Sequence, residues 1–525
     1  MPTPNTPFVY LPDLLCEIED GRIDVADFGR MWVPKLLWIA ELWQSLLLVP
    51  QRPIGSVVLW LLDSEGRGRP GRYGLAAVSV RILDGQHRCL GLAVGAGVRP
   101  AWFTEQQWDQ LKGDELLVSV ALEPGQRPRI TAHQHGRYPQ ITLRELLTSD
   151  PAALEQLAVD RGVGTGELAT CVGSLVGIQE RLARTPILLE WLSGTTEQAA
   201  EVYCIRGRRG ATTVMTAGEI ETTMVAQVSP GVRSEILDPA IEDAAAKGFS
   251  SAVTATAFNE VVQAELPETF RHRNVVNADP AIVRAACKRT GQACEDTLAY
   301  LVRHGISGSD FVCMPSTVRV LMKLFARFPH AVQDDFAWRW LARALASQRY
   351  RDAPKLARAD SALIAASGTY EQATSLLAEA LNGSGLKVGP NDLHRQGAST
   401  FGPGAALMAM ALSGPGHRPV HDLAQPDLRA PHPAMRLVRL WDPNPPAERL
   451  GNYILATEAT HRVLRANKGW TPAAAEELQC PRAVLDAQSI PQPLGEQERA
   501  PTQMWIKERD RKLLSLINAF LEGAA

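Results

Sequence analysis

The sequence predicts a mixed α+β protein: a strand-and-helix domain first, an α-helical middle, and a small strand-and-helix region ending in a helix. Three observations carry this expectation. Residues 78–95, VSVRILDGQHRCLGLAVG, change from a β-branched apolar run to a helical pattern across Asp84-Gly85. Residues 230–400 are Ala- and Leu-rich with apolar side chains at helical spacing. The 525 residues are 45% hydrophobic and 21% charged, which is the balance of a globular chain with a real core and room for roughly two to four domains.

From the N-terminus, Pro-rich turns and the acidic stretch Glu17–Asp20 precede a Trp- and Leu-rich amphipathic helix from Trp32 to Leu48. Pro50 and Pro53 end it, and Ile54–Leu62 reads as a buried strand. A Gly/Arg-rich loop at 65–73 leads into the strand that carries ILDGQHR. There Asp84 is a natural N-cap and Gly85 lets the backbone pass close to a ligand, with Gln86, His87 and Arg88 in the first helical turn. Unsatisfied N–H groups and the positive end of the helix dipole favour an anionic guest such as phosphate. The same residues also fit a plain turn with a capping aspartate, although three consecutive donors beside an apolar core call for partners.

Residues 114–122 and 139–147 read as further strand and helix pieces, separated by a polar loop with His133 and His135. The strand PILLEWL and the helix that follows lead to IRGRRGATT. In that stretch glycines interleaved with Arg206, Arg208 and Arg209 suit a loop laid against phosphate, and an exposed basic turn fits equally. In the helical middle, Arg339 and Arg349 offer a basic outer face. Residues 384–433, rich in Gly, Pro, Asp and His, read as a linker or a set of loops.

The net charge of −3 gives no global attraction to nucleic acid, so DNA contacts would come from local patches such as Arg206, Arg208 and Arg209, or Lys507, Arg509, Arg511 and Lys512. Eight scattered cysteines without a CxxC pair fit reduced thiols in a cytoplasm better than zinc or disulfides. Neither a secretory leader nor an apolar run of roughly 18 residues occurs, so a soluble, cytoplasmic chain without a membrane partner is expected. No GxxxxGK[ST] motif is present to form a P-loop.

ILDGQHR resembles the DGQQR/DGQHR signature of bacterial proteins with a ParB/sulfiredoxin-type N-terminal domain, among them the GmrSD restriction endonucleases and SspE-like defence nucleases. Arg30, Trp32, Lys35, Leu42-Trp43-Gln44-Ser45 and Pro53-Ile54-Gly55-Ser56 precede it in the order that resemblance implies. Gly29 stands where the family has Gln, and Gly207 where it has Asn. The resemblance implies a nucleoside triphosphate held by Arg30, Asp84, Gly85, Gln86, His87 and Arg88. Gln86 or His87 would orient water, and Asp84 would fix the turn or hold Mg²⁺.

Toward the C-terminus, His432, Asn452 and His461 follow an H-x19-N-x8-H pattern. It resembles the HNH (ββα-metal) nuclease motif of GmrSD-like proteins. The first His would act as general base from a strand, the Asn would brace the loop, and His461 would hold a divalent metal such as Mg from a helix. Pro431 occupies the position before the first His, where a second ligand commonly stands, although Asp427 or Asp442 offer substitutes. The pattern therefore fits either an active site or a fold that has kept its shape and lost its metal.

These readings divide the chain into 1–228 (ParB/sulfiredoxin-like), 229–400 (helical) and 401–525 (HNH-like). They imply a DNA-directed defence protein that couples nucleotide binding or hydrolysis to cleavage of foreign or modified DNA, as a homo-oligomer or with a co-encoded partner. The alternative is a DndB-like, nucleotide-dependent DNA-binding regulator that does not cut.

Overall fold

The computed structural model describes residues 6–29, 36–47, 54–62, 79–106, 108–109, 119–121, 129–131, 140–209, 215–303, 306, 315–350, 354–381, 388–389, 403–413, 436–440, 449–479, 481–490 and 503–523. The fold is mixed α+β, in two compact units, Met1–Glu235 and Ile236–Ala525.

In the first unit a five-stranded mixed sheet has the order β1-β8-β3-β4-β2. Its strands are β1 (Phe8–Tyr10), β2 (Ile23–Val25), β3 (Val57–Leu62), β4 (Val80–Asp84) and β8 (Pro186–Gly194). A second sheet joins β5 (Ser119–Ala121) to β6 (Arg129–Thr131) and β7 (Gln140–Thr142). β6 is thus a strand inside the stretch expected to be a polar loop, while His133 and His135 lie outside the described residues.

The alternation of β3 explains why the large sheet is covered on both faces. Val57 and Leu59 join a core with α1 (Leu11–Glu19), α2 (Leu36–Leu47) and α3 (Gln86–Gly95). That core also takes in α4 (Leu143–Thr148), α5 (Pro151–Asp160) and α6 (Thr165–Ala183). Val58, Trp60 and Leu62 point the other way, toward α7 (Thr196–Arg209) and α8 (Ala217–Val228).

Among the described residues the second unit begins with seven α-helices: α9 (Asp238–Ala246), α10 (Ala255–Glu265), α11 (Pro280–Arg303), α12 (Pro315–Arg327), α13 (Asp335–Ala346), α14 (Pro354–Ala366) and α15 (Tyr370–Leu381). Arg349 does not present the expected basic face. It turns inward onto the Asp360 carboxylate, with both contacts at 2.8 Å.

α16 (Pro403–Ser413) lies within the segment expected to be a linker. Residues Ala405–Met410 of this helix are fully buried. Being apolar all round, it has no polar face whose period would reveal it, and Gly/Pro-rich flanks conceal it further. β9 (Arg436–Arg439) and β10 (Tyr453–Ala456) then pair antiparallel. After them come α17 (Glu458–Ala466), α18 (Pro472–Leu478), α19 (Arg482–Ala487) and the terminal α20 (Gln503–Gly523). One core joins Leu450, Tyr453, Leu513, Ile517 and Leu521 to side chains of α11–α16, so residues after 400 pack with those before it. Among the described residues, no helix is long and apolar enough to cross a membrane.

Candidate functional site

The corner between β4 and α3 is built by Gly85, which adopts φ 92° and ψ 8°, a left-handed conformation that glycine accepts without strain. Gly85 is itself the N-cap and makes no side-chain capping bond, so the expected role of Asp84 as N-cap is corrected. Asp84 instead accepts the Gly85 N–H on Oδ1 at 2.7 Å and the Arg206 Nε–H on Oδ2 at 2.9 Å. Both oxygens are therefore engaged before the helix begins. Nor is Gly85 an open backbone floor, because a Cβ there would lie 3.3 Å from Val57 Cα and 3.2 Å from Arg88 Nη2.

Arg88 reaches back from the first turn of α3 across the start of β3. Its Nη1 donates to the Ile54 carbonyl at 2.8 Å, and its Nη2 stands 3.8 Å from Asp84 Oδ1. Gly55, at φ +83°, leaves the guanidinium its path: a Cβ at that position would lie 2.2 Å from Nη1. Gln86 is buried, while the half-buried His87 ring packs edge-on to Trp38 at 6.5 Å. At Gly29, a Cβ would lie 2.9 Å from the Ala26 carbonyl oxygen and 3.2 Å from Gln86 Oε1, so a glutamine at this position does not fit this backbone.

Sheet register supplies the remaining members. Val58 on β3 is opposite Asp84 on β4 and Glu190 on β8, at a bulge in the β3–β4 pairing. Two carboxylates thus flank one valine. Arg206 spans the pair, donating through Nε to Asp84 at 2.9 Å and through Nη1 to Glu190 Oε2 at 2.8 Å. Ser56 hydrogen-bonds the other Glu190 oxygen and lies 3.5 Å from Arg206 Nη2. Burial works against the Arg206 charge, but the two carboxylates outweigh it and hold the guanidinium above its ordinary pKa.

Arg206 was expected in a loop laid against phosphate, of a nucleotide or of DNA, and the loop is corrected to helix: α7 continues through Arg209 and turns Arg206 onto the carboxylates. Met215 folds against Gly207, where a Cβ would lie 2.1 Å from its sulfur, and this close packing keeps the glycine inside the helix. The side chains of Arg208 and Arg209 lie outside what is described, as does Arg30. The structure therefore gathers Asp84, Gly85, Gln86, His87, Arg88 and Arg206, and adds Glu190, which sequence reading missed. Its signal was a lone acid in the alternating strand ILLEW; the partner it meets is fixed only by strand order.

The C-terminal candidates belong to the second unit. Asn452 is buried at 1% exposure, its backbone carbonyl accepting from Leu440 N–H at 2.8 Å and its backbone N–H donating to the Arg449 carbonyl at 2.9 Å. It ties the end of β9 to the start of β10. His461 stands half-buried in the first half of α17, directly after the β9–β10 pair. His432, Asp427, Pro431 and Asp442 lie outside the described residues. Among the described residues, no group of three His, Cys, Asp or Glu side chains is placed to hold a metal ion. Arg509, expected in a basic patch, is buried within the second unit.

No protein-family model matches the chain, and no curated protein matches it.

Proposed function

We propose that this chain is a GmrSD-like, DNA-directed defence protein in which the corner at Asp84–Arg88 binds a nucleoside triphosphate and controls metal-dependent cleavage by an HNH-type C-terminal site. The observation that carries the reading is the convergence of two guanidiniums, from Arg88 and Arg206, on one half-exposed carboxylate beside a left-handed glycine at a helix start. Arginine forks match phosphate as well as carboxylate, and a helix N-terminus adds favourable potential for an anion.

Asp84, Glu190 and Arg206 keep 36%, 50% and 33% of their side-chain surface exposed, so solvent and a ligand reach them. On this reading a polyphosphate competes with the carboxylates for Arg206, leaving Asp84 and Glu190 to hold the accompanying magnesium ion. A ParB/sulfiredoxin-type first unit and a ββα nuclease region, in which the Asn452 side chain would brace the connecting loop, belong to the same proposal.

Thermal unfolding with each nucleoside triphosphate and Mg²⁺ tests the binding step. A ligand at a hundred times its dissociation constant adds about 2.7 kcal/mol to the folded state. Arg88→Ala and Arg206→Ala are expected to lose that gain, and an unchanged transition with every triphosphate overturns the reading. Plasmid nicking with Mg²⁺ or Mn²⁺ tests the second step, with loss expected in His432→Ala and Asn452→Ala. Nucleotide-sensitive DNA binding without cleavage at any metal would point to a DndB-type regulator instead.

A further inference from the structure

Among the described residues, β1 ends the large sheet of the first unit, paired on one side only, with β8. The bonds Leu189 N–H to Pro7 O at 2.9 Å and Leu11 N–H to Thr185 O at 3.0 Å show which residues of β1 face β8. They are the odd-numbered ones. The backbone N–H and C=O groups of Phe8 and Tyr10 therefore point off the edge of the sheet.

On one face of that edge lie large apolar side chains in the open. Phe8 is 38% exposed, Tyr10 45% and Leu188, opposite Phe8 in the register, 51%. The Phe8 and Tyr10 rings meet edge-on at 5.5 Å. Natural sheets protect an edge with charge, cover, proline or short length; β1 is short and follows Pro7, yet Pro7–Leu11 and Pro186–Leu189 contain no charged residue to repel a second strand.

We propose that this edge pairs with β1 of a second copy of the chain, antiparallel about Val9, to form a two-fold dimer with one continuous sheet. The pattern is self-complementary. In that register Phe8 lies opposite Tyr10 of the second copy, and these are the residues whose backbone groups face outward, so each pair exchanges both of its hydrogen bonds. The four rings form a ladder on one face, flanked by Leu188 from each copy, and no like charges oppose across the dyad. The exposed row on β8 continues from Leu188 to Glu190, so the dimer sets the Arg206 clusters of both copies on the same face of the joined sheet.

Sedimentation of the full chain over a range of concentrations is expected to show a monomer–dimer equilibrium. Phe8→Glu and Tyr10→Glu should each weaken it by about tenfold or more, as for loss of an aromatic anchor, while the melting temperature of the monomer stays unchanged. Cysteine pairing tests the register in a Cys16→Ser background. Mixing Phe8→Cys with Tyr10→Cys should give a disulfide-linked dimer, and neither variant alone should, because like positions are diagonal neighbours about 7–8 Å apart. A chain that sediments as a monomer throughout overturns the proposal and leaves the edge to a strand of another protein. So does a dimer unaffected by both glutamates, or cross-linking as strong in the single variants as in the mixture.

Discussion

Gly55 and Arg88 are coupled because the guanidinium passes through the space a side chain at 55 would fill. Gly55→Ala brings in both that clash and the strain of φ +83°, and is expected to destabilise the first unit by about 1–3 kcal/mol in urea unfolding. Glu190→Gln weakens only a half-exposed ion pair, so the same measurement should move by less than about 1 kcal/mol. The contrast separates the arginine whose path the backbone at Gly55 shapes from the one held only by side chains. Asp84–Arg88 was legible in the sequence because its members are contiguous. Glu190 was not, since only the register that puts Val58 between two strands brings it to Arg206. Lys323 on α12 was invisible for a similar reason. Burial pushes its ammonium down to about 8, against the attraction of Glu260 and Glu265 on α10. Between that value and the ordinary lysine value of about 10.4, the unfolded chain binds a proton the folded one does not, so stability rises with pH across this window. Lys323→Met should abolish that rise, and at pH 7 should add roughly 1–3 kcal/mol, read as the difference between two urea-unfolding series.

At the scale of elements, α2 and α3 meet through glycines. Trp43 is fully buried and donates its indole N–H to the Gly91 carbonyl at 3.3 Å. A Cβ at Gly95 would stand 2.4 Å from the same nitrogen, and one at Gly91 2.9 Å from Trp38. Gly95→Ala would raise helix propensity, yet overpacking against an immobile indole is expected to outweigh it and cost about 1–3 kcal/mol. Thermal melting together with the tryptophan emission of the folded state checks this. Elements with one polar face, such as α11 and α13, were readable because their apolar positions recur at helical spacing. The strand–glycine–helix turn was readable through its change of period. α16 and the last turn of α7 were not: the first has no polar face, and the second contains the Gly and Arg residues that ordinarily signal a loop.

At the scale of the molecule, the second unit is closed by its own last helix. Arg509 is 1% exposed, and its guanidinium donates to the carbonyls of Tyr453 at 2.7 Å, Leu450 at 3.5 Å and Gln488 at 3.1 Å. One residue of α20 thus holds the β10 strand and the end of the α19 turn, while Leu513, Ile517 and Leu521 of the same helix enter the main core. Burial lowers the Arg509 pKa to about 9, with neighbouring Asp510 opposing the shift, so the group remains a cation near neutral pH. Arg509→Lys replaces a planar fork with a single ammonium that cannot serve carbonyls lying in different directions, and Arg509→Ala leaves them without this donor beside a cavity. Both are expected to destabilise the second unit, the alanine variant by about 2–5 kcal/mol in urea. Hydrogen exchange distinguishes this from general weakening. In the lysine variant, amides of Tyr453–Ala456 should lose protection before those of α11 and α12, because the fork acts on the hairpin and not on the helical core. Equal loss of protection in all three would mean that Arg509 contributes bulk alone.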